Sequence, residues 1–300
     1  MLRNIFFSRK LKSISNKIAG ENIFYVIRRE CSNTGLLSDW HNVLGHIMYA
    51  VENGLIPTVD MQNYKTSYHE KDPVNGISNA WEYYFQQPTS SSLEDAYKSK
   101  GAVILSSLGY IQEEVPSDFR FIYDKNMLKK HNYYISKYMK LRPEVNKYVK
   151  ISEKEIFKEK KILGVFYRGT DYNYAKGHFT PPKPNVLLAK VRELFLQWGM
   201  EWIFLVTEEE EVVKIFKNEF NTKVIITDSS RVKSYSKEMG AIANFKKDNN
   251  YLKNLNYLRD IILLSKCHSL VCSKANGSAA AIEMNNNKYI NRFIFELGTN

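Results

Sequence analysis

The chain has 300 residues, a length that allows one large domain or two medium-sized domains. Its 44% hydrophobic and 25% charged residues are typical of a globular protein and exclude an intrinsically disordered chain. The net charge of +11 is spread over both halves and suits an anionic partner, such as nucleic acid, a membrane surface or a phosphate-bearing small molecule.

Cysteine usage favours a reducing compartment, because Cys31, Cys267 and Cys272 form an odd set without CxxC spacing. Neither the cysteines nor the histidines follow a metal-ligand spacing, so we expect no metal ion. The sequence contains no apolar run of the ~18–20 residues that cross a bilayer and no signal-peptide core, which indicates a cytoplasmic protein. Apolar and basic residues mix over 2–18, which predicts an amphipathic leader packed on the body or, alternatively, a helix on a membrane surface.

The N-terminal half begins with a βαβ pattern. Apolar runs over 23–28 and 56–61 predict two strands, and between them the apolar residues of 40–51 recur at helical spacing. Ser38 or Asp39 would cap the start of this helix. Strand, glycine-containing turn, helix and strand in this order predict a parallel α/β unit.

Two aromatic segments follow. Residues 64–92 read as an ordered surface excursion in which Trp81 belongs either to a satellite hydrophobic cluster or to a platform for a sugar ring. A short strand is predicted over 102–106. Lysines and tyrosines alternate over 127–149, which fits a solvated helix face better than a single-stranded nucleic-acid surface, because no RNA-binding motif accompanies them.

The C-terminal half alternates regularly between strand and helix patterns, which predicts a parallel sheet with helices on both faces. The predicted strands are 162–167, 202–207 and 223–227, and the predicted helices are 186–198 and 210–219. Thr207 ends the second of these strands and is placed to cap the helix that follows.

The sequence LGVFYRGTD combines a buried strand with charged residues at its end. Arg168 and Gly169 bring a guanidinium group and an accessible backbone to the carboxyl edge of the sheet, where open α/β folds bind anions. A diphosphate would be held in this way. The alternative is that Arg168 pairs with Asp171 and only stabilises the loop.

The last informative block runs from 257 to 283. Asp260 lies in an otherwise apolar helix and needs a partner, which would be a purine base, Arg231 or a backbone donor. A short strand then leads into the small-residue turn 273–278 and a helix of alanines. The N–H groups at such a helix start form a ready anion site, although the same residues also make an ordinary turn.

Together these motifs resemble the α-1,6-fucosyltransferase family, including its bacterial Nod-factor and capsule-cluster relatives. The shared order is the RGTD strand end, the LVTEEE strand end and the LRDIILLSKCHSLVCS block. The resemblance covers about residues 160–285, and in the N-terminal half it rests on the turn after Cys31 and on NAWEYYF at 79–85.

This resemblance implies an α/β fold with two Rossmann-like lobes and a cleft between them, the GT-B type. Residues 1–155 would form the acceptor lobe and residues 156–300 the lobe that binds the nucleotide-sugar donor. The activity implied is inverting, metal-independent transfer of fucose from GDP-fucose, without a cofactor, to a hydroxyl of a bacterial surface glycan or lipid-linked oligosaccharide. By position, Arg168 matches the residue that grips the diphosphate, Asp260 the carboxylate that reads guanine, and 273–278 the phosphate turn.

The chain also departs from the family pattern. Gly169 stands where the family has a second arginine, Phe166 where the eukaryotic motif has a histidine, and Lys176 where the eukaryotic core enzymes have the glutamate base. The base must lie within hydrogen-bond reach of the acceptor hydroxyl, and Asp171, His178, Asp39 and His41 are the candidates. The expected catalytic residues are Arg168, Asp171 and His178; the donor-binding residues are Arg168, Gly169, Thr207, Asp260, Ser273, Asn276, Gly277 and Ser278; the acceptor-side residues are Asp39, His41 and Trp81.

A second hypothesis is a non-catalytic protein that binds nucleotides or single-stranded nucleic acid through the basic, tyrosine-rich surface. It leaves Arg168 and Asp260 unexplained. We therefore expect a GDP-sugar and a glycan as partners, no nucleic acid, and a peripheral contact with the inner face of a membrane as a further option.

Overall fold

The computed structural model describes residues 23–30, 34–157, 160–233 and 249–300. The leader predicted over 2–18 lies outside these ranges. The described residues form two α/β units, each built on a parallel β-sheet, as the sequence predicted. None of the described helices is long and apolar enough to cross a membrane.

The N-terminal sheet has three strands in the order β2-β1-β3. The strands are β1 (Phe24–Arg28), β2 (Ile56–Asp60) and β3 (Val103–Leu105), and both neighbours run parallel to β1. Helix α1 (Leu36–Glu52) connects β1 to β2 and buries the predicted apolar face. The predicted βαβ unit is therefore confirmed.

Helix α1 begins one turn earlier than the sequence suggested. Gly35 is its N-cap residue and no side chain caps it, so the expected cap at Ser38 or Asp39 is wrong. Both residues lie inside the first turn, where they have other partners: Ser38 contacts the Tyr110 hydroxyl and Asp39 pairs with Arg29.

The excursion after β2 is packed against the N-terminal unit. It contains the short helix α2 (Leu93–Lys98), which begins with a capping box at Ser92. Trp81 is fully buried, stacks on Phe85 at 4.4 Å between ring centroids, and donates its indole N–H to the Gln86 carbonyl. The structure thus supports the hydrophobic-cluster interpretation and corrects the sugar-platform interpretation, because no face of this indole is open to a ligand.

The basic segment forms two helices. Helix α3 (Lys125–Tyr138) is followed by α4 (Pro143–Ile156), which Pro143 starts at its first position. Val145 and Val149 anchor α4, and Leu128 and Tyr134 anchor α3, while most of the lysines remain at the surface.

The C-terminal sheet has five parallel strands in the order β6-β5-β4-β7-β8. The strands are β4 (Ile162–Tyr167), β5 (Trp202–Thr207), β6 (Val224–Ile225), β7 (Ser269–Ser273) and β8 (Asn291–Phe295). The helices are α5 (Pro184–Gln197), α6 (Glu210–Phe220), α7 (Asn250–Leu264) and α8 (Asn276–Asn285). The predicted alternation is confirmed, although β6 is shorter than expected and β8 was not predicted.

The order of these strands indicates where a ligand crevice lies. The chain moves outward from β4 through β5 to β6, then returns to the other side of β4 for β7 and β8. Open α/β sheets bind ligands outside the carboxyl ends of the strands at such a reversal. Here that point lies between the ends of β4 and β7, where Arg168 and the turn 273–278 are found.

A buried charge cluster joins the two units. The Glu283 carboxylate on α8 is fully buried and accepts hydrogen bonds from His41 Nε2 on α1 at 2.8 Å and from His131 Nδ1 on α3 at 2.6 Å. Burial opposes the charge of Glu283, but the two histidines outweigh it and lower its pKa. One continuous core also extends from α1 to α7 and α8, so the units are packed together behind the cleft.

Candidate functional site

An open cavity lies beside the predicted crevice, at the carboxyl ends of β4, β5 and β6, and no residue of the turn 273–278 lines it. We call it the Arg168 cavity. The lining residues lie at or after the carboxyl ends of β1, β2, β4, β5 and β6, or on α7: Gly35, Leu36, Ser67, Phe166, Tyr167, Arg168, Val206, Thr207, Glu208, Ser229, Ser230, Lys253, Asn254, Tyr257 and Asp260. It therefore brings Arg168, Thr207 and Asp260 together, as the sequence predicted.

The Arg168 side chain is 17% exposed and is held on several sides. Nε and Nη2 donate to the Asp171 carboxylate at 3.1–3.2 Å, and Nε lies 3.7 Å from Glu208 Oε2. The guanidinium carbon lies 4.8 Å from the centre of the Tyr172 ring. Burial opposes its charge, but Glu208, Tyr172 and Asp171 outweigh burial and raise the pKa of Arg168. A permanently charged guanidinium thus faces the cavity.

Gly169 does not line this cavity. Its N–H donates to Glu209 Oε1 at 2.9 Å. A Cβ at position 169 would lie 2.6 Å from that oxygen and closer still to the Tyr167 hydroxyl. The absence of a side chain at 169 is therefore explained by close packing against Tyr167 and Glu209, and the structure gives no role to the Gly169 backbone in holding a ligand.

Asp260 is satisfied by side chains that the sequence did not indicate. Its Oδ2 accepts hydrogen bonds from Thr227 Oγ1 at 2.8 Å and Ser229 Oγ at 2.6 Å, and its Oδ1 from Arg259 Nε at 3.0 Å. The suggested partner Arg231 donates instead to the carbonyls of Thr227 and Ser229. Burial raises the pKa of Asp260 against these donors. The two hydroxyls can rotate, so this carboxylate can exchange them for the N–H groups of a ligand.

Thr207 has a different role at the end of β5 from the one expected. The N-cap residue of α6 is Glu209, whose N–H donates to Thr207 Oγ1 at 3.2 Å. Thr207 therefore orders the turn before α6 and does not cap the helix, while it contributes to the lining of the Arg168 cavity.

The side chain of Ser278 stabilises the turn 273–278 by hydrogen bonds to its backbone. Ser278 Oγ donates to the Ser273 carbonyl at 2.6 Å and accepts from the Ala275 N–H at 3.0 Å. A Cβ on Gly277 would lie 2.7 Å from Phe166 Cε2. Ser273, Gly277 and Ser278 line neither the Arg168 cavity nor the one described next, so the structure assigns them to shaping the turn.

A second cavity adjoins Tyr172, and we call it the His178 cavity. Residues from both units line it: Arg29, Thr34, Ser38, His41, Tyr110, Val115, Pro116, Ser117, Phe119, Tyr172, Gly177, His178, Phe179 and Asn276. Its wall offers aromatic rings together with hydroxyl and imidazole groups, a combination that suits a sugar.

The four candidate bases have different surroundings in the structure. Asp171 is engaged with Arg168, and His41 is held between Glu283 and the Asn276 side chain at 3.0 Å. Asp39 lines neither cavity. Burial lowers the pKa of His178, so its imidazole is neutral near pH 7 at the wall of the second cavity.

Asp39 lies in the first turn of α1, and its side chain is buried. Its Oδ1 accepts from Arg29 Nε at 3.1 Å and Thr34 Oγ1 at 2.8 Å, while Oδ2 has no hydrogen bond within the described part of the chain. Burial is the largest influence and raises the pKa of Asp39 to about 6.

Tyr172 is the most important of the cavity residues that the sequence did not indicate. Tyr172 directly follows the RGTD motif, is 5% exposed, and contacts the His178 ring at 4.4 Å between centroids. The first N–H of α8, at Asn276, interacts with its hydroxyl, and burial raises the pKa of Tyr172. A tyrosine after a strand carries no signal of such a position, because only the folded loop brings it between two cavities.

Among the described residues, no group of three or more histidine, cysteine or carboxylate side chains converges in a way that would hold a metal ion.

No protein-family model matches the chain, and no curated protein matches its sequence significantly. Solved structures do match its fold. NodZ α-1,6-fucosyltransferase co-crystallised with GDP superimposes with a TM-score of 0.55 at 14% identity, over 88% of this chain and 92% of the other. Arabidopsis thaliana FUT1 in complex with GDP gives a TM-score of 0.52 at 12% identity, over 96% and 74%. POFUT1 in complex with GDP gives 0.51 at 10% identity, over 91% and 98%. The chain therefore has the two-lobed GT-B fold of these fucosyltransferases.

Proposed function

We propose that this protein is a glycosyltransferase that transfers fucose from GDP-fucose to a hydroxyl of a surface-glycan acceptor. The observation that carries the proposal is that Arg168 and Asp260 line one cavity at the carboxyl ends of the parallel strands, the edge where open α/β sheets bind their ligands. The fold of the chain is that of structures crystallised with GDP, which supports a guanine nucleotide as the occupant.

The cavity offers partners for two parts of the donor, the guanine base and the diphosphate. Asp260, with the hydroxyls of Thr227 and Ser229, would accept N–H groups of the guanine edge. Arg168 would hold the diphosphate, and the start of α1 at Gly35 would contribute backbone N–H groups that no side chain caps.

The chemistry follows from these positions. The acceptor hydroxyl attacks C1 of the sugar, the bond from C1 to the phosphate oxygen breaks, and the electron pair leaves with GDP. A fixed guanidinium stabilises the charge that develops on the diphosphate. A single displacement inverts the configuration at C1. The hydroxyl proton would pass to His178, which is neutral at pH 7 and lines the acceptor cavity.

Each unit would hold mainly one substrate. Residues 156–300 would hold most of the donor and residues 1–155 most of the acceptor, with the His178 cavity, lined by residues of both units, receiving an oligosaccharide or lipid-linked glycan. The exposed lysines of α3 and α4 would favour docking of a cytoplasmic protein at an anionic membrane face.

The test begins with ligand binding measured by calorimetry for GDP, UDP and a short single-stranded RNA, followed by hydrolysis of GDP-fucose, GDP-mannose and UDP-sugars. We expect micromolar binding that prefers GDP, and release of fucose from GDP-fucose. Binding of RNA without GDP would refute the transferase and support the nucleic-acid alternative.

Arg168→Ala should lower the rate of fucose transfer or donor hydrolysis by about 10²-fold or more while the circular dichroism spectrum stays native. Arg120→Ala is the matched control, because Arg120 forms an exposed ion pair with Asp118 and its side chain lines neither cavity. Near-normal turnover by the Arg168 variant would overturn the assignment of this residue to the diphosphate.

A further inference from the structure

Tyr172 stands between the two cavities. On one side its ring lies against the guanidinium of Arg168, which lines the Arg168 cavity. On the other side the ring meets His178, and Tyr172 itself lines the His178 cavity.

The groups that hold Tyr172 are groups that bind anions. Its ring covers the guanidinium of Arg168, and its hydroxyl meets the backbone N–H of Asn276 at the start of α8. Guanidinium groups and helix N-termini are the usual partners of phosphate in proteins. A diphosphate entering the Arg168 cavity would therefore compete for the contacts that keep Tyr172 in place.

Transfer also requires the two cavities to communicate. The sugar C1 and the acceptor oxygen must approach to about 3–3.5 Å, whereas the ring of Tyr172 lies between Arg168, which lines one cavity, and His178, which lines the other. A donor sugar whose diphosphate is held by Arg168 would meet this ring on its way to the acceptor cavity.

We propose that Tyr172 is a gate that closes the passage between the two cavities in the free protein and that a nucleoside diphosphate opens it. This inference rests on the proposed function for the identity of the ligand. The short 3₁₀ turn Asp171–Asn173 carries both Tyr172 and the carboxylate that engages Arg168, so one displacement of the turn releases both contacts. The donor then binds before the acceptor.

The gate makes a prediction about binding that a fixed wall does not. The affinity for a ligand is reduced by the fraction of protein in the closed state, so weakening the closed state tightens binding. Tyr172→Phe keeps the ring over Arg168 but removes the hydroxyl from the Asn276 N–H. We expect its Kd for GDP to fall about 2- to 10-fold, the range of one hydrogen bond, and its unfolding temperature without GDP to fall as well.

Tyr172→Leu removes the aromatic face from Arg168 too, and its Kd for GDP should fall further. Tyr174→Phe is the matched control, since Tyr174 is 47% exposed on the same loop, and its Kd should stay within about 2-fold of wild type. Calorimetry with GDP gives all four constants, and far-UV circular dichroism verifies the fold of each variant.

A Tyr172→Phe variant that binds GDP as wild type does, or more weakly, would overturn the gate and leave the proposed function standing. If the wild-type protein does not bind GDP, the proposed function itself is wrong, and the gate loses its ligand with it.

Discussion

The buried carboxylate of Asp39 gives the sharpest quantitative prediction. Burial raises its pKa from 3.8 to about 6, although Arg29 and Thr34 both donate to it. Asp39→Asn replaces the acid by a neutral side chain of the same shape, which resembles the protonated form. The substitution should therefore leave stability almost unchanged at pH 4 and increase it at pH 7.5.

The magnitude follows from linkage. The native state holds the Asp39 proton more tightly than the unfolded chain, so this contribution to stability is complete below pH 3.8 and is lost as pH rises through about 6. A shift of about two units, at about 1.36 kcal/mol per unit, corresponds to about 3 kcal/mol. The free energy of unfolding of the Asn variant minus that of wild type should rise by about this amount between pH 4 and pH 7.5.

Urea unfolding of both proteins at half-unit steps from pH 4 to pH 7.5 measures this difference, and all other titrating groups cancel in it. Asp118→Asn, at an exposed pair with Arg120, is the control and should give a curve nearly parallel to wild type. A parallel curve for the Asp39 variant as well would show that solvation or Arg29 compensates burial, and the reasoning would be refuted.

Two further substitutions test the packing around the cavities. Glu283→Gln should lower the free energy of unfolding in urea by about 3–5 kcal/mol, because it breaks the buried charge cluster, while Glu153→Gln at the exposed Lys266 pair should lower it by less than about 1 kcal/mol. Equal effects would show that this charge cluster does not stabilise the contact between the two units. Gly277→Ala places a methyl group against Tyr257 and should cost about 1–3 kcal/mol and weaken GDP binding, whereas Gly109→Ala, which meets no neighbouring atom, should do neither; an unaffected Kd would show that the cavity wall can yield.

Much of the architecture was readable from local pattern. The apolar spacing over 40–51 and the alternation over 162–227 indicate which face of each helix or strand is buried. Within a single element, the burial of that face is what favours helix or strand. Arg168 and Asp260 were also recognisable, because a charged residue at the end of a buried strand or inside an apolar helix needs a partner whatever the fold. Both line the same cavity.

The identity of the partners was not readable in this way. Asp260 is satisfied by two hydroxyls more than 30 positions away and by its neighbour Arg259, not by Arg231. Trp81 had the composition of a sugar platform, yet the folded excursion buries it. The chemistry of a side chain can be read from the sequence, whereas its burial depends on which other segments of the chain pack against it.

The sequence by itself determined the two parallel α/β units, the order of their elements and the charged residues of the crevice, since periodicity and isolated charges act over a few residues. Only the tertiary structure joined His41 to Glu283, 242 positions apart, and set Tyr172 between two cavities. It also explained Gly169 and Gly277 by the side chains packed against them. Contacts of this kind depend on how elements far apart in the chain pack against each other. A local sequence pattern does not show which of their residues will touch.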